Sequence, residues 1–181
     1  MLIMPDQPIE SGLIRPMTKN DLNMVLFWRN HPDVRKHMFT QHEIGINEHQ
    51  LWFDHVFEDP YKHLLIYELK RRPLGFVNFF STGKSGIAEW GFYASPEAPK
   101  GVGRNLGQLA LNYAFGHLNF HKVCGRALKE NERSIRMHML LGFQQEGVFR
   151  DQHFDGERYR HVVCFGLLRT DWRFSTTLEQ K

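Results

Sequence analysis

Residues 87–116 read IAEWGFYA-SPEAPKGVG-RNLGQLALNYAFG, and this stretch decides the fold. Ile87–Ala94 alternates in the manner of a strand, and an amphipathic helix follows with four apolar residues in register, Leu106, Leu109, Ala110 and Tyr113. The loop between them is rich in Pro and Gly and ends in Gly-Val-Gly. Glycines let successive N–H groups turn toward one point, and the start of a helix favours an anion. The stretch therefore predicts a strand, a pyrophosphate-binding loop and a helix, with a glycine turn that only starts a helix as the alternative.

The rest of the chain supplies further strands and helices around this stretch. Strand-like runs bounded by turns are Leu13–Met17, His63–Leu69, Leu74–Phe80, Val123–Leu128, Phe143–Phe154 and Glu157–Leu168. Typical caps and ends predict helices after Thr18, from Asn47 to Phe57, and from Asn131 to Gly142. We expect a single α+β (α/β) domain over 1–181, with a core at about 13–170 and short tails at 1–11 and 173–181. Its central mixed, mostly antiparallel sheet has about seven strands, flanked by about four helices.

The composition disfavours several classes of function. The 23 Lys and Arg against 20 Asp and Glu give a net charge of +3, too weak a bias to favour nucleic acid. No run approaches the ~20 apolar residues that span a bilayer, and the N-terminus lacks the basic region of a secretion signal. Cys124 and Cys164, in apolar segments, fit a reducing cytoplasm, and the 11 histidines show no metal-site spacing. We expect a cytoplasmic protein that binds no metal, membrane or nucleic acid.

Three motifs resemble the GNAT N-acetyltransferases. They are Glu89-Trp-Gly-Phe-Tyr, the Gly-Val-Gly that opens a helix, and Asn131-Glu-Arg-Ser134-Ile-Arg-Met-His138-Met-Leu-Leu-Gly142-Phe143. The family pattern is R/Q-x-x-G-x-G/A at the pyrophosphate loop, and later Asn, Ser or Ala, Tyr or His, and Gly-Phe at the spacings found here. The resemblance extends from about Leu13 to Leu168 and implies a GNAT-like domain with acetyl-CoA as co-substrate. Ala98 departs from the pattern, because the family has Arg or Gln there.

Other residues resemble one branch of that family, the UDP-4-amino-sugar N-acetyltransferases of pseudaminic acid biosynthesis. They are Arg29-Asn30-His31-Pro32, a helix with His49 and Trp52, and Asn112-Tyr-Ala-Phe115. The resemblance implies acetylation of the 4-amino group of a UDP-linked amino-dideoxy sugar, as used in flagellin glycosylation, and leaves a homodimer open. A polyamine or a ribosomal-protein N-terminus is the alternative acceptor, because the early segment is shared in part with those acetyltransferases. A non-catalytic module that senses acyl-CoA is an alternative of another class.

Acetyl transfer from a thioester to an amine needs a base for the amine and a proton for the departing thiolate. His138 is the predicted proton donor, because its ordinary pKa of about 6.5 suits exchange near neutrality and it shares a helix face with Ser134. In related enzymes a tyrosine often occupies this position. Glu89, in the middle of a strand that disfavours carboxylates, is the predicted base, acting through a water. The alternatives are a helix-surface histidine and an ordinary ion-paired glutamate.

Two further groups of residues are predicted to bind the substrates. The glycine loop and the cap of the later helix would hold the coenzyme, through Lys100, Gly101, Val102, Gly103, Arg104, Asn105, Asn131 and Ser134. Arg29 and His49 interrupt apolar helix faces, where a polar group is costly unless it is paired or bound to a ligand. With the branch resemblance, this predicts a nucleotide-sugar site formed by Arg29, Asn30, His49, Trp52 and Asn78. An ion pair or a solvated guanidinium is the alternative for Arg29.

Overall fold

The fold is built on one sheet that runs through the molecule. A computed structural model describes residues 12–174, so the predicted tails lie almost entirely outside the described residues. The strands are β1 Leu13–Pro16, β2 Lys62–Leu69, β3 Arg72–Ser81, β4 Ile87–Ala94, β5 Lys122–Leu128, β6 Gln144–Phe154 and β7 Tyr159–Leu168. They join in the order β1-β2-β3-β4-β5-β7-β6. Only the pairing of β4 with β5 is parallel, which confirms the predicted mixed, mostly antiparallel sheet.

Over the same residues, five α-helices cover the two faces of the sheet. They are α1 Leu22–Asn30, α2 Pro32–Arg35, α3 Ile46–Phe57, α4 Val102–Gly116 and α5 Glu132–Leu140. The one-turn α2 adds to the four predicted helices, and Pro32 suits its first turn because no N–H is needed there. The predicted cap Asn47 is wrong, because α3 begins one residue earlier and the extended Gly45 precedes it. No helix within residues 12–174 is long and apolar enough to cross a membrane.

Alternation of side chains along the strands produces two separate cores. On one face, Val77 of β3 joins a large buried cluster with Leu106 of α4. On the other face, Ile66 of β2 packs with Val25 of α1 and Phe53 of α3. Each such buried side chain contributes about 1.5–3 kcal/mol, so both layers of helices are firmly attached. The sheet is therefore the middle layer of three, and each of its faces meets different helices.

The parallel strands β4 and β5 are joined over only three residues. The pairs are Ile87 with Lys122, Ala88 with Val123, and Glu89 with Cys124. Beyond these pairs β4 keeps its antiparallel partner β3, and β5 keeps β7. Parallel strands need a crossover connection, and the segment containing α4 supplies it. A V-shaped gap therefore opens in the middle of the sheet, between residues 90–94 of β4 and residues 125–128 of β5.

An ion-pair network fixes the first strand to the first helix. Arg15 of β1 donates to both carboxylate oxygens of Asp21 at 2.8 Å, and to Glu68 of β2 at 2.7 Å. Asp21 also accepts from the backbone N–H and the hydroxyl of Thr18, at 2.8 and 3.0 Å, as at many helix starts. The Arg15 guanidinium holds the pKa of the Asp21 carboxyl below its usual range. The network therefore positions α1, whose last turn carries Arg29.

Replacing Arg15 with methionine should destabilise the fold, because the buried Asp21 carboxylate loses its main partner. We expect Arg15→Met to lower the free energy of unfolding by about 2–4 kcal/mol at neutral pH, measured by denaturant unfolding. The loss should shrink as the pH falls below about 4. The ion pair stabilises the fold fully only above the pKa of Asp21 in the unfolded chain, and this stabilisation disappears as the pH falls through the lower pKa of Asp21 in the folded protein. Arg72→Met, which breaks the exposed 3.0 Å pair with Glu97, is the control and should cost under about 0.5 kcal/mol. Equal losses would contradict the role of Arg15.

Candidate functional site

Several residues predicted from the sequence meet at the gap between β4 and β5. Glu89 is the last residue of β4 that pairs with β5. It faces α1 and α3, because it alternates with Trp90, which is buried in the core beneath α4. The loop after β4 leads into α4, and α5 follows β5. The closed end of the gap therefore has Glu89 on one face of the sheet, and α4 and α5 on the other.

Glu89 is held by an arginine from the neighbouring strand. Arg126 of β5 donates to Glu89 through Nε at 2.8 Å, and its Nη2 lies 2.6 Å from the same carboxylate oxygen, Oε1. Both side chains remain nearly half exposed. The ion-paired alternative for Glu89 is therefore present in the structure. It does not conflict with the predicted base, because Oε2 accepts from no residue among those described, and the role of base stays a prediction.

His138 lies on the opposite face, in the core rather than on the helix surface. It is 2% exposed and stacks on Phe165 with ring centroids 4.6 Å apart. Trp90 Nε1 donates to its Nε2 at 3.1 Å, and its Nδ1 lies 2.8 Å from the Ser134 carbonyl oxygen. These partners assign the neutral tautomer with the proton on Nδ1. A Cβ at Gly125 of β5 would collide with Nε2, so the ring fits only because this position is glycine.

These surroundings argue against the predicted role of His138 as a proton donor. Burial lowers the pKa of His138, so the neutral form prevails near neutrality. Its single N–H is donated to the Ser134 carbonyl, and its other nitrogen accepts from Trp90. The ring would have to break one of these hydrogen bonds before it could deliver a proton to the gap. Proton donation by His138 stays a prediction that this geometry does not favour. In the structure, the His138 ring is a buried packing residue beside the closed end of the gap.

The start of α4 combines a glycine turn with exposed basic side chains. Gly101 has a φ of 92°, which glycine adopts readily, and nothing lies within 4 Å of the position its Cβ would take. The amides of Arg104 and Asn105 lie 3.1 and 3.3 Å from the Gly101 carbonyl oxygen, which closes the first turn. Val102 is buried and anchors the loop, whereas Lys100, Arg104 and Asn105 are exposed. A helix start with two basic side chains beside it suits a phosphate group.

Helix α5 packs against this loop and carries the other predicted coenzyme-binding residues. The Oδ1 atom of Asn131 accepts from the Ser134 amide at 3.1 Å, which confirms the predicted helix cap. Gly103 allows a close approach, because its Cβ position would be 3.4 Å from Cε of Met137. The cap uses only the oxygen of the Asn131 side chain, so its NH₂ group is available to a ligand. Coenzyme binding by Asn131 and Ser134 stays a prediction.

Arg29 and His49 bring nitrogen atoms without partners to the face covered by α1 and α3. Arg29 Nη2 donates to the Thr40 carbonyl at 2.7 Å, but Nη1 is buried and has no hydrogen-bond partner. His49 is 4% exposed and stacks on Trp52 at 5.1 Å, and its Nε2 also lacks a partner. Burial lowers the pKa of both side chains. Buried polar groups left unsatisfied are costly, so a ligand that pairs with them would be favoured.

The two asparagines predicted to bind the nucleotide sugar have different surroundings. Asn30 uses both ends of its amide on Ile44, donating to its carbonyl at 2.8 Å and accepting from its N–H at 2.9 Å. Asn30 therefore fixes the loop after α2, and its contact with substrate stays a prediction. Asn78 is half-buried and lies over Gly91, where a Cβ would be 2.7 Å from its Oδ1. It shares a face with Glu89 and stays a candidate for substrate binding.

Three residues near this site were not predicted from the sequence as functional: Tyr93, Phe39 and Arg126. Arg126 is a charge in a strand of mostly small and apolar residues, which is the signal that was used for Glu89. Tyr93 interacts electrostatically with Arg29, and burial raises the pKa of Tyr93. Phe39 gave no signal, because its loop reaches the sheet only in the folded chain. Its ring centroid lies 5.9 Å from the Arg126 guanidinium carbon.

Comparison with known protein families shows which class of protein this site belongs to. Residues 13–144 match the model of the acetyltransferase (GNAT) domain family. The match covers well over half of the chain, and the chain belongs to the GNAT acetyltransferases. This confirms the resemblance to the GNAT family seen in the sequence, and the chain is a GNAT N-acetyltransferase.

The relatives include an acetyltransferase whose name gives no acceptor and several spermidine acetyltransferases. The acetyltransferase PseH of Campylobacter jejuni (strain 81-176) is 28% identical over 128 residues, covering 70% of this chain and 79% of the relative. The spermidine N(1)-acetyltransferase of Escherichia coli (strain K12) is 27% identical over 153 residues, covering 83% and 82%. The structure of spermidine N-acetyltransferase from Vibrio cholerae in complex with CoA and spermine superposes with a TM-score of 0.81 at 23% identity, covering 89% of this chain and 97% of that chain. The last comparison shows the shared fold.

The site fits acetyl-CoA, the co-substrate of this family. The loop at Gly101 leaves open space at the start of α4, where a pyrophosphate would approach. Residues 90–94 of β4 have no strand partner on the side of β5, so their backbone groups are available to an extended ligand. Where the family pattern has a charged or amide side chain this chain has Ala98, and Lys100 and Arg104 supply positive charge nearby. Within residues 12–174 no three or more His, Cys, Asp or Glu side chains gather in a way that could hold a metal.

A bulky side chain at Gly103 should obstruct the coenzyme without unfolding the protein. The only close neighbour of its Cβ position is the flexible end of Met137, which can move. We expect Gly103→Val to weaken acetyl-CoA binding at least about 10-fold in calorimetry, equivalent to about 1.4 kcal/mol. Gly147→Val on β6, where nothing lies within 4 Å of the Cβ position, is the control and should bind normally. Unchanged affinity in Gly103→Val would remove the loop from the coenzyme site.

Replacing His138 with phenylalanine separates packing from catalysis. The ring stack is kept, but the Trp90 N–H and the Ser134 carbonyl lose their partner, so we expect a loss of about 1–3 kcal/mol in unfolding free energy. Burial lowers the pKa of His138, so the unfolded wild type takes up a proton at this residue more readily than the folded protein does. The free energy of unfolding of the wild type should therefore decrease as pH falls below about 6.5, and the variant should lack the share of this decrease that comes from His138. We expect kcat to remain within about 10-fold. A fall of about 10²–10⁴ with normal acetyl-CoA affinity would instead make His138 the proton donor.

Proposed function

We propose that the acceptor is the 4-amino group of a UDP-linked amino-dideoxy sugar, in a pathway of the pseudaminic acid type. The observation that carries this proposal is Arg29, whose Nη1 is buried without a partner on the face that also carries Glu89. No described carboxylate lies within ion-pair distance of Arg29. A cation in that position favours a ligand with negative charge, and a guanidinium binds phosphate through paired N–H groups. The stacked pair of His49 and Trp52 adds a nitrogen and an aromatic surface.

The same observation disfavours a polyamine, the second candidate that the relatives supply. A polyamine carries several positive charges and needs carboxylates that are free to receive them. The three carboxylates of residues 41–57 have basic partners: Glu43 with Arg35 at 3.6 Å, Glu48 with His42 at 3.0 Å, and Asp54 with Lys19 at 3.7 Å. Such exposed pairs are weak, but a polyamine would have to displace them and also approach the Arg29 guanidinium. The local charge therefore favours the anionic acceptor.

Glu89 is the proposed base in this reaction. Acetyl-CoA supplies an acetyl group that is activated as a thioester. Glu89 lies at the closed end of the gap, on the face that carries Arg29, and so between the predicted coenzyme and acceptor sites. Its carboxylate can accept a proton from the amine, directly or through a water, as the nitrogen attacks. Removing a base of this kind costs about 10²–10⁴ in rate, which gives Glu89→Gln a defined expectation.

The acceptor can be identified by a substrate panel combined with Arg29 variants. Mass spectrometry would follow acetylation of a UDP-4-amino-dideoxy sugar, spermidine and an N-terminal peptide, each with acetyl-CoA. We expect the sugar nucleotide to have the highest kcat/KM. Arg29→Met should raise its KM roughly 10- to 100-fold, because a hydrogen bond to a charged group contributes about 1.5–3 kcal/mol. Acetyl-CoA affinity should not change.

Arg35→Met is the matched control, because Arg35 lies in the same segment but is paired with Glu43. It should leave the KM for the sugar nucleotide within about twofold. Preferential acetylation of spermidine, with a lower spermidine KM in Arg29→Met, would replace the sugar by a polyamine. Equal weakening of both substrates in Arg29→Met would make Arg29 a structural residue.

A further inference from the structure

We propose that Arg126 is a positioning residue for the transfer reaction, which holds Glu89 by one carboxylate oxygen so that the other faces the attacking amine. The proposal rests on Glu89 as the proton acceptor in the proposed function. It does not depend on which amine is the acceptor. Arg126 does not touch the reacting atoms in this scheme, because it acts only through Glu89.

The evidence is the asymmetry of the ion pair. Nε and Nη2 of Arg126 both converge on Oε1 of Glu89, at 2.8 and 2.6 Å. No other residue among those described donates to Oε2. A symmetric bidentate pair would occupy both oxygens, whereas this arrangement fixes the carboxylate and leaves one oxygen unoccupied. The free oxygen belongs to a side chain that is still 45% exposed, so an amine or a water can reach it.

The position of Arg126 in the sheet explains how it can do this. Glu89 pairs with Cys124, the last residue of β5 that pairs with β4, and Arg126 lies two residues further on the same face. The ion pair therefore reaches diagonally across the point where the two strands begin to diverge. An ordinary cross-strand pair lies where strands are joined, but this one spans the closed end of the gap in which acetyl transfer would occur.

Arg126 has a second neighbour besides Glu89, the aromatic ring of Phe39. The Phe39 ring lies 5.9 Å from its guanidinium carbon, and packs edge-on against His153 of β6 at 5.2 Å. The loop that carries Phe39 is fixed by the two Asn30–Ile44 hydrogen bonds. A cation between a carboxylate and an aromatic ring has fewer orientations than a solvated arginine. The loop after α2 thus constrains Glu89 through Arg126.

The proton balance of the step is simple. As the amine nitrogen bonds to the acetyl carbon, one N–H proton passes to Glu89 Oε2, and the carbon–sulfur bond breaks. Glu89 returns the proton to solvent, and the departing thiolate is protonated from solvent. General-base catalysis requires an acceptor oxygen within about 2.6–3.2 Å of the proton-bearing atom, directly or through one water. A carboxylate fixed by two N–H groups keeps that geometry from one turnover to the next.

A double-mutant cycle tests the proposal, using whichever amine the wild type acetylates best. Arg126→Met, Glu89→Gln and the double variant would be compared by kcat at saturating substrates. We expect Arg126→Met to lower kcat about 10- to 100-fold, as loss of a partner that orients a functional group does, with KM for acetyl-CoA unchanged. In the Glu89→Gln background the same change should cost less than about twofold. Arg126→Lys should recover only part of the rate, because an ammonium lacks the paired N–H geometry.

Lys122→Met is the matched control, because Lys122 lies on the same strand and face and pairs with Glu146 at 2.6 Å, within the joined part of the sheet. It should leave kcat unchanged. Equal losses from Arg126→Met in both backgrounds, or a higher acceptor KM with normal kcat, would overturn the positioning role. A normal kcat in Glu89→Gln would overturn both this proposal and the assigned base. A polyamine as the preferred amine would overturn only the proposed acceptor. Thermal unfolding of each variant confirms that it is folded.

Discussion

The early separation of β4 from β5 is the constraint on which the site depends. Paired strands lie about 4.8 Å apart, so continued pairing would leave no room for a ligand between them. Pairing with β5 instead ends at Glu89. On that side of β4, the backbone groups of residues 90–94 have no strand partner. Such groups need hydrogen-bond partners, which an extended ligand with amide groups can provide. Trp90 and His138 fill the closed end on one face, and they fit there because Gly125 has no side chain.

The sheet also separates two electrostatic environments. On the face of α4 and α5, the attraction for phosphate comes from a helix start, with Lys100 and Arg104 as exposed basic side chains. The face of α1 and α3 carries two arginines in different surroundings: Arg29 is half-buried and its Nη1 has no partner, and Arg126 is bound to Glu89. The sheet therefore separates the candidate coenzyme loop from the candidate base, Glu89.

The spacing of residues in the sequence predicted part of the surroundings of His138 but not its burial. Its place four residues after Ser134 predicted a shared helix face, and the two side chains do lie 3.4 Å apart. The direction in which that face of α5 points could not be predicted from the sequence, because it depends on Gly125 and Trp90, which lie on two separate strands. For Glu89, alternation alone predicted the face of the sheet on which the side chain lies, because one side of its strand is more apolar than the other. The ion pair with Arg126 was not visible, since it depends on the register of β4 with β5.

The sequence by itself determined the order and extent of the strands and longer helices, the cap at Asn131, the glycine turn before α4 and the family of acetyltransferases. Each of these is encoded locally, in periodicity, capping chemistry and the spacing of residues within short motifs. Only the tertiary structure decided that His138 is buried, that Asn30 fixes a loop and that Phe39 reaches Arg126. These facts depend on contacts between segments far apart in the chain, and side-chain burial and pairing are set by packing that no single segment contains.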